Sequence, residues 1–165
     1  MHMNNFIEDL IKQMEGRNME RKFEKVSKYE GIELEMPKRA TATSVGYDFY
    51  NPKEVVIGAG KIEYVMTGIK AKFPENEALI LANRSSNPKK KGLILANGIG
   101  VIEADYYNNV DNEGELGFAF MNITDEPIVL DKGEKLGQGF FIEYKITSDD
   151  NAEGKRNGGF GSTGK

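Results

Sequence analysis

Apolar and polar positions change their rhythm near residue 19. Before it, Phe6, Ile7, Leu10, Ile11 and Met14 fall on one face, which predicts a short helix capped by Asn4 or Asn5 and ending near Gly16. From Lys22 to Lys38 the pattern becomes strand and linker, closed by Pro37. From about residue 39 onward short β-type segments recur: "YDFYN", "EVVI", "KIEYVMTGIKAKF", "EALILAN", "LILAN", "GVIEADYY", "ELGFAFMNIT", "PIVL" and "LGQGFFIEYKIT". A spacing of about ten residues, with Gly, Pro, Asn and Asp in the gaps, predicts an all-β barrel or sandwich rather than alternating α and β. Residues 148 to 165, "SDDNAEGKRNGGFGSTGK", carry too little apolar surface to order alone and read as a flexible C-terminal arm.

This division gives an N-terminal extension over residues 1–18, a β domain over 19–147 and the arm over 148–165. The opening "MHM" reads as a cloning scar, with Met3 or Met19 as the natural start. With 165 residues the expectation is one globular domain. No apolar run approaches the ~20 residues of a membrane-spanning helix, so no membrane partner is expected. The formal net charge of −4 argues against a broad basic face for nucleic acid. An anionic ligand must therefore be small and met by a local cluster of cations and N–H donors.

The absences narrow the chemistry further. There is no Cys, and the single histidine is His2. Thiolate nucleophiles, disulfides and His-based triads are excluded, so acid–base work falls to carboxylates, lysines or tyrosines. Lack of cysteine and of a secretory segment gives the expectation of a cytoplasmic protein, or one in the host cytoplasm if phage-encoded.

Three stretches carry candidate chemistry. In "LANRSSNPKKKG" a strand end delivers Arg84, Ser85 and Ser86 ahead of a turn at Asn87 and Pro88, a combination suited to phosphate. In "NGIGVIEADYY" a Gly-interrupted turn with Asn97, Gly98 and Gly100 leads into a strand. Period two places Glu103 and Asp105 on one face and Ile102, Ala104 and Tyr106 on the other. In "GGFGSTG" successive backbone N–H groups with the hydroxyls of Ser162 and Thr163 can wrap a polyphosphate while Phe160 covers a flat ring.

Together these stretches resemble the trimeric dUTPases, deoxyuridine triphosphate nucleotidohydrolases, of phage or Gram-positive type. Five short motifs stand in family order: "SVGYDF" (Ser44 to Phe49), "NRSS" (Asn83 to Ser86), "NGIGVIEADY" (Asn97 to Tyr106), "GEKLGQG" (Gly133 to Gly139) and "GGFGSTG" (Gly158 to Gly164). The resemblance implies a jelly-roll-like β-barrel, a C3 homotrimer with sites shared between subunits, and an arm that closes over a site built mainly by neighbouring chains. It implies hydrolysis of dUTP to dUMP and pyrophosphate by water that Glu103 activates for attack on the α-phosphorus. Asn97 with backbone groups through Gly100 and Ile102 would read the uracil edge. Mismatching a buried donor or acceptor there would cost about 1–3 kcal/mol, roughly 5- to 200-fold against cytosine. Tyr106 would pack under the deoxyribose and exclude a 2′-hydroxyl.

By the same resemblance Arg84, Ser85, Ser86 and Gln138 would hold the α and β phosphates, with Asp48 supporting the phosphate and water network. Phe160 would stack on uracil, while Gly161, Ser162 and Thr163 cover the γ phosphate with either Lys155 or Arg156. Mg²⁺ would be held by phosphates and water, with no direct protein ligand.

The sequence departs from the family at Glu103, where aspartate is usual. An extra methylene moves a carboxylate by about 1.5 Å, and misplacement of that order can cost ~100-fold in rate. Asn83 replaces a common proline and Val45 an alanine. The stretch "YYNNVDNEGELG" makes a longer hairpin than the chemistry needs and suggests a surface for a regulatory protein partner. Two other functions stay open on the sequence: a dUTP-binding switch protein with low turnover, and a dCTP deaminase-related enzyme.

Overall fold

The computed structural model describes residues 20–156 together with Ile7, Gly158 and Gly159. The expected N-terminal helix therefore lies outside the described residues. Among the described residues twelve short strands follow in order: β1 (Lys22–Lys25), β2 (Lys38–Arg39), β3 (Tyr47–Tyr50), β4 (Val55–Ile57), β5 (Ile62–Met66), β6 (Ile69–Lys72), β7 (Glu77–Asn83), β8 (Leu93–Leu95), β9 (Gly100–Glu103), β10 (Gly117–Asn122), β11 (Ile128–Leu130) and β12 (Lys135–Glu143). One five-residue helix, α1 (Asn87–Lys91), separates β7 from β8. The molecule is thus nearly all β, as the turn spacing predicts, in the jelly-roll-like arrangement that the resemblance implies.

The strands form a five-stranded sheet in the order β2-β3-β12-β7-β9, a three-stranded sheet β5-β10-β8, and two ribbons, β1-β6 and β4-β11. All of these pairings are antiparallel. The apolar run of β7, "EALILAN", follows from its place between β12 and β9 in the largest sheet, where its first five residues are buried. By contrast β6, in a two-stranded ribbon, alternates: Ile69 and Ala71 are buried while Lys70 and Lys72 are only partly buried.

Between the sheets lies a core of large side chains that includes Phe49, Phe118, Phe120, Leu79, Leu81 and Leu136. Phe118 meets Phe49 edge-on at 5.7 Å between centroids and stacks on Phe120 at 5.8 Å. These rings explain the glycines of β12. A Cβ at Gly137 would stand 2.2 Å from the Phe118 ring, and one at Gly139 would stand 2.9 Å from Phe49. Gln138 lies between these two glycines, so core packing fixes its height along the strand.

Several segments differ from expectation. "KIEYVMTGIKAKF" is two strands, broken where Gly68 takes a left-handed φ of 75° and the Gly68 N–H donates to the buried Glu115 carboxylate at 3.0 Å. β12 ends at Glu143, short of the predicted run through Thr147. The turn expected at Asn87 and Pro88 is α1, started by that proline and closed by Gly92 at φ 67°. The residues after Tyr106 are not a hairpin, because β9 pairs with β7 whereas β10 pairs with β5 and β8. The loop instead carries the chain from one sheet to the other.

Candidate active site

The phosphate-type residues gather at one end of the five-stranded sheet. Gln138 on β12 stands between Asp48 on β3 and Ala82 on β7 in register. Its side-chain amide donates to the Asn83 carbonyl at 3.2 Å. Asp48 is ion-paired with Lys135 at 2.7 Å. Gly46 leaves room for the glutamine, since a Cβ there would stand 2.3 Å from Gln138 Oε1.

Asn83 locks the turn that presents Arg84, Ser85 and Ser86. Its Oδ1 accepts from the Arg84 N–H at 2.9 Å and from Asn87 Nδ2 at 2.7 Å, while its own Nδ2 donates to the Leu93 carbonyl at 3.0 Å. A proline could make none of these side-chain bonds. Asn87, 2% exposed, also donates to the Leu136 carbonyl at 2.8 Å and so ties α1 to β12. Burial and the nearby Arg84 charge both lower the pKa of Lys91. Arg84, Lys91 and Lys135 thus gather at this end of the sheet, with Lys91 paired to Glu134 and Lys135 to Asp48.

The base-type residues form a second group. Asn97, Gly100, Ile102, Glu103, Tyr106 and Arg156 line a cavity of about 260 Å³, with Tyr64 and Gly117 completing its wall. Gly98 sits in the turn before β9 at φ 75°, a conformation that favours glycine. Tyr106 is 6% exposed. Its hydroxyl donates to the Glu115 carbonyl at 3.0 Å and accepts from Asn112 Nδ2 at 2.8 Å. Burial raises its pKa, so the phenol stays protonated at neutral pH.

The face assignment by period two is corrected here. β9 stops at Glu103, and Ala104–Tyr106 form a 3-10 turn. Such a turn advances about 120° per residue, so alternation no longer sets the faces. The two carboxylates nevertheless converge through a third group. Arg156 donates from Nη2 to Glu103 at 2.7 Å and from Nε to Asp105 at 2.8 Å. The same guanidinium lies 5.7 Å from the centre of the Tyr106 ring. Lys155 is exposed, whereas the Arg156 side chain is only 11% exposed. Phe160, Gly161, Ser162 and Thr163 lie outside the described residues.

Within one chain the two groups stand apart. Asp48 is level with Ala82, Glu103 is level with Ala78, and β3 and β9 are separated by β12 and β7. Three strand spacings and four residues of rise put them roughly 15–20 Å apart. Sequence reasoning missed Lys135, Tyr64 and Gly117 as neighbours of the site. Lys135 was findable inside "GEKLGQG", but a register irregularity between Lys135 and Gln138 removes it from simple alternation.

A dUTPase family model matches residues 33–164. The chain is 46% identical over 146 residues to the deoxyuridine 5'-triphosphate nucleotidohydrolase of Lactococcus lactis subsp. lactis (strain IL1403), covering 87% of this chain and 97% of that protein. The crystal structure of dUTPase from Streptococcus mutans superposes with a TM-score of 0.72 at 44% identity, covering 76% of this chain and 98% of that one. A mutant dUTPase from phage phi11 of S. aureus, described with a structural Mg(II) ion, shares the fold at a TM-score of 0.66 and 20% identity, covering 82% and 97%.

Proposed function

The chain belongs to the dUTPase family and is a hydrolase of dUTP, and from that premise we propose how its residues divide the work. The observation that carries the reading is the pairing of Glu103 and Asp105 by Arg156 at a cavity walled by Tyr106. Uracil enters this cavity, where Asn97 and the backbone through Gly100 and Ile102 read its edge. Tyr106, neutral and anchored through its hydroxyl, offers its ring to the deoxyribose. Glu103 takes a proton from water as the water oxygen bonds to the α-phosphorus, and the bond to the bridging oxygen breaks to release pyrophosphate and dUMP.

Arg84, Ser85, Ser86 and Gln138 hold the α and β phosphates, with Asp48 aligning the network through Lys135. Arg156 passes from the carboxylates to the γ phosphate, its fork being better suited than the point charge of Lys155. The rest of the arm, through Phe160, Gly161, Ser162 and Thr163, covers base and phosphate. The phosphate group offers Arg84, the Ser85 and Ser86 hydroxyls and the Gln138 amide rather than a set of carboxylate ligands, so Mg²⁺ would arrive with the nucleotide and not be held by these side chains. When bound, that ion would neutralise charge on the triphosphate. The protein would act in the cytoplasm.

Reacting atoms must approach to about 3–3.5 Å, so groups some 15–20 Å apart cannot serve one phosphorus. This separation supports a homotrimer in which the Glu103 group of one copy completes the Arg84 group of another. The test is pyrophosphate release from dUTP, with dCTP, dTTP and UTP as controls, with and without Mg²⁺, on wild type and Glu103→Gln. Release from dUTP alone that falls by at least ~100-fold in the variant supports the assignment of the base. Binding of dUTP without release by wild type would instead indicate a switch protein. A monomer mass in light scattering would overturn the shared site.

A further inference from the structure

The stretch from Tyr107 to Glu115 lies outside the five motifs, yet two of its asparagines are turned onto one of them. Asn109 Nδ2 donates to the Tyr106 carbonyl at 2.9 Å and to Asn112 Oδ1 at 2.7 Å. Asn112 Nδ2 donates in turn to the Tyr106 hydroxyl at 2.8 Å, and that hydroxyl donates to the Glu115 carbonyl at 3.0 Å. Tyr106 is thus gripped at both ends, its backbone by one asparagine and its phenol by the other. Asn112 Oδ1 also accepts from the Gly114 N–H at 3.1 Å, so both ends of its amide are used.

The loop is itself tied to β6 and to the turn at Ser27–Tyr29. Glu115, 3% exposed, accepts from the Gly68 N–H at 3.0 Å and is ion-paired with Lys28. Glu113 accepts from the Ser27 N–H at 3.2 Å and from Lys70 at 3.2 Å. Gly114 approaches so closely that a Cβ there would stand 2.5 Å from the Tyr106 carbonyl oxygen. The far end of the phenol is therefore fixed to a frame, while Tyr106 still lines the cavity with Asn97 and Ile102.

We infer that Asn112 is a positioning residue for sugar specificity: by pinning the Tyr106 hydroxyl it stiffens the wall that meets the sugar, and so sets the preference for deoxyribose over ribose. The inference rests on the reading of Tyr106 as the surface under the deoxyribose. A steric wall rejects an added hydroxyl by about 100-fold, and by less when the wall can yield. A ring held only at its Cβ tilts most at its far end, so a bond at the hydroxyl resists that tilt best. One such hydrogen bond is strong enough to change the population of the upright ring about tenfold. Every contact of the brace lies within the copy that carries Tyr106, so it is the same whichever copy supplies the phosphate residues. The loop that the sequence offers as a partner surface thus has inward side chains with a task in selectivity.

The experiment measures pyrophosphate release from dUTP, UTP and dCTP by the full chain carrying Asn112→Ala, Asn112→Asp or Tyr106→Phe. In Asn112→Ala the ratio of kcat/KM for dUTP to that for UTP should fall about tenfold, mostly through a gain on UTP, while the ratio of dUTP to dCTP stays within about twofold. Asn112→Asp keeps the acceptor for Asn109 and Gly114 and should fall between wild type and Asn112→Ala. Tyr106→Phe removes the pinned hydroxyl itself, so it should match Asn112→Ala and serves where that variant does not fold. A loss shared equally by all three nucleotides would make Asn112 merely structural and overturn the inference, as would an unchanged ratio of dUTP to UTP. Equal release from dUTP and UTP by wild type would also overturn it, while leaving the hydrolase reading in place. Wild type that releases nothing from dUTP would sink the hydrolase reading alone, and the same ratios are then read from dUMP and UMP binding by calorimetry, where equal affinities in wild type would overturn the inference.

Discussion

Arg156 donates to Glu103 at 2.7 Å across 53 residues of chain, and its Nε reaches Asp105 at 2.8 Å. Both carboxylates are 57% exposed, so the pairs contribute little to stability, about 0–1 kcal/mol each. Their value lies in holding a cation at the site entrance. Arg156→Ala should therefore leave the melting temperature nearly unchanged yet lower kcat/KM for dUTP by about 100- to 1,000-fold, as expected for a lost charged donor to the leaving pyrophosphate. Arg156→Lys should recover only part of this, because an ammonium lacks the fork. Steady-state pyrophosphate release checks both variants.

Gly46 controls Gln138. Its backbone does not need glycine's left-handed freedom, but an added methyl would stand 2.3 Å from Gln138 Oε1. Gly46→Ala should displace that amide and lower kcat/KM by about tenfold. Gln138→Ala should remove the collision, so the double variant should be no worse than Gln138→Ala alone. Additive losses in the double-mutant cycle would refute the link.

Tyr106 separates structure from chemistry by its hydroxyl. Tyr106→Phe keeps the ring beside the cavity but leaves the Glu115 carbonyl without its donor and Asn112 without an acceptor. The expected cost is ~1–3 kcal/mol in urea unfolding. Turnover of dUTP should fall much less than with Tyr106→Ala, which removes the surface proposed to lie under the sugar.

Tyr107 sets part of the acid stability. Its hydroxyl donates to Glu24, and this bond, aided by Lys22, holds the Glu24 pKa below the ordinary carboxylate value. A depressed folded-state pKa stabilises the protein above the unfolded value of about 4.3 and loses that contribution as pH falls through the folded value. Tyr107→Phe should therefore destabilise the protein near neutral pH and flatten the decline of stability below about pH 4. Thermal melts of both proteins across pH 3 to 7 check the sign.

Much of the fold was legible in the chain. The run "EALILAN" announced a β segment, and it is β7 between β12 and β9. The motif residues were legible too, because short spacings place Arg84 beside Ser85 and Glu103 near Tyr106 regardless of the remaining packing. Legibility failed where a regular period ended. The 3-10 turn at Ala104–Tyr106 breaks the alternation used for Glu103 and Asp105, and the irregularity before Gln138 hides Lys135.

By itself the sequence determined the strand-rich architecture, the cluster types and the chemistry open to them, because residue types and local periods act over a few neighbouring positions. Only the tertiary structure decided that Arg156 joins Glu103 to Asp105, that Asn83 pins the phosphate turn to β8, and that Glu115 receives the Gly68 N–H. Those contacts join positions distant in sequence, and their partners are chosen by which backbones the core brings together. No local pattern carries that information, since hydrogen bonds are directional over about 3 Å while the chain between their ends is free to take many paths.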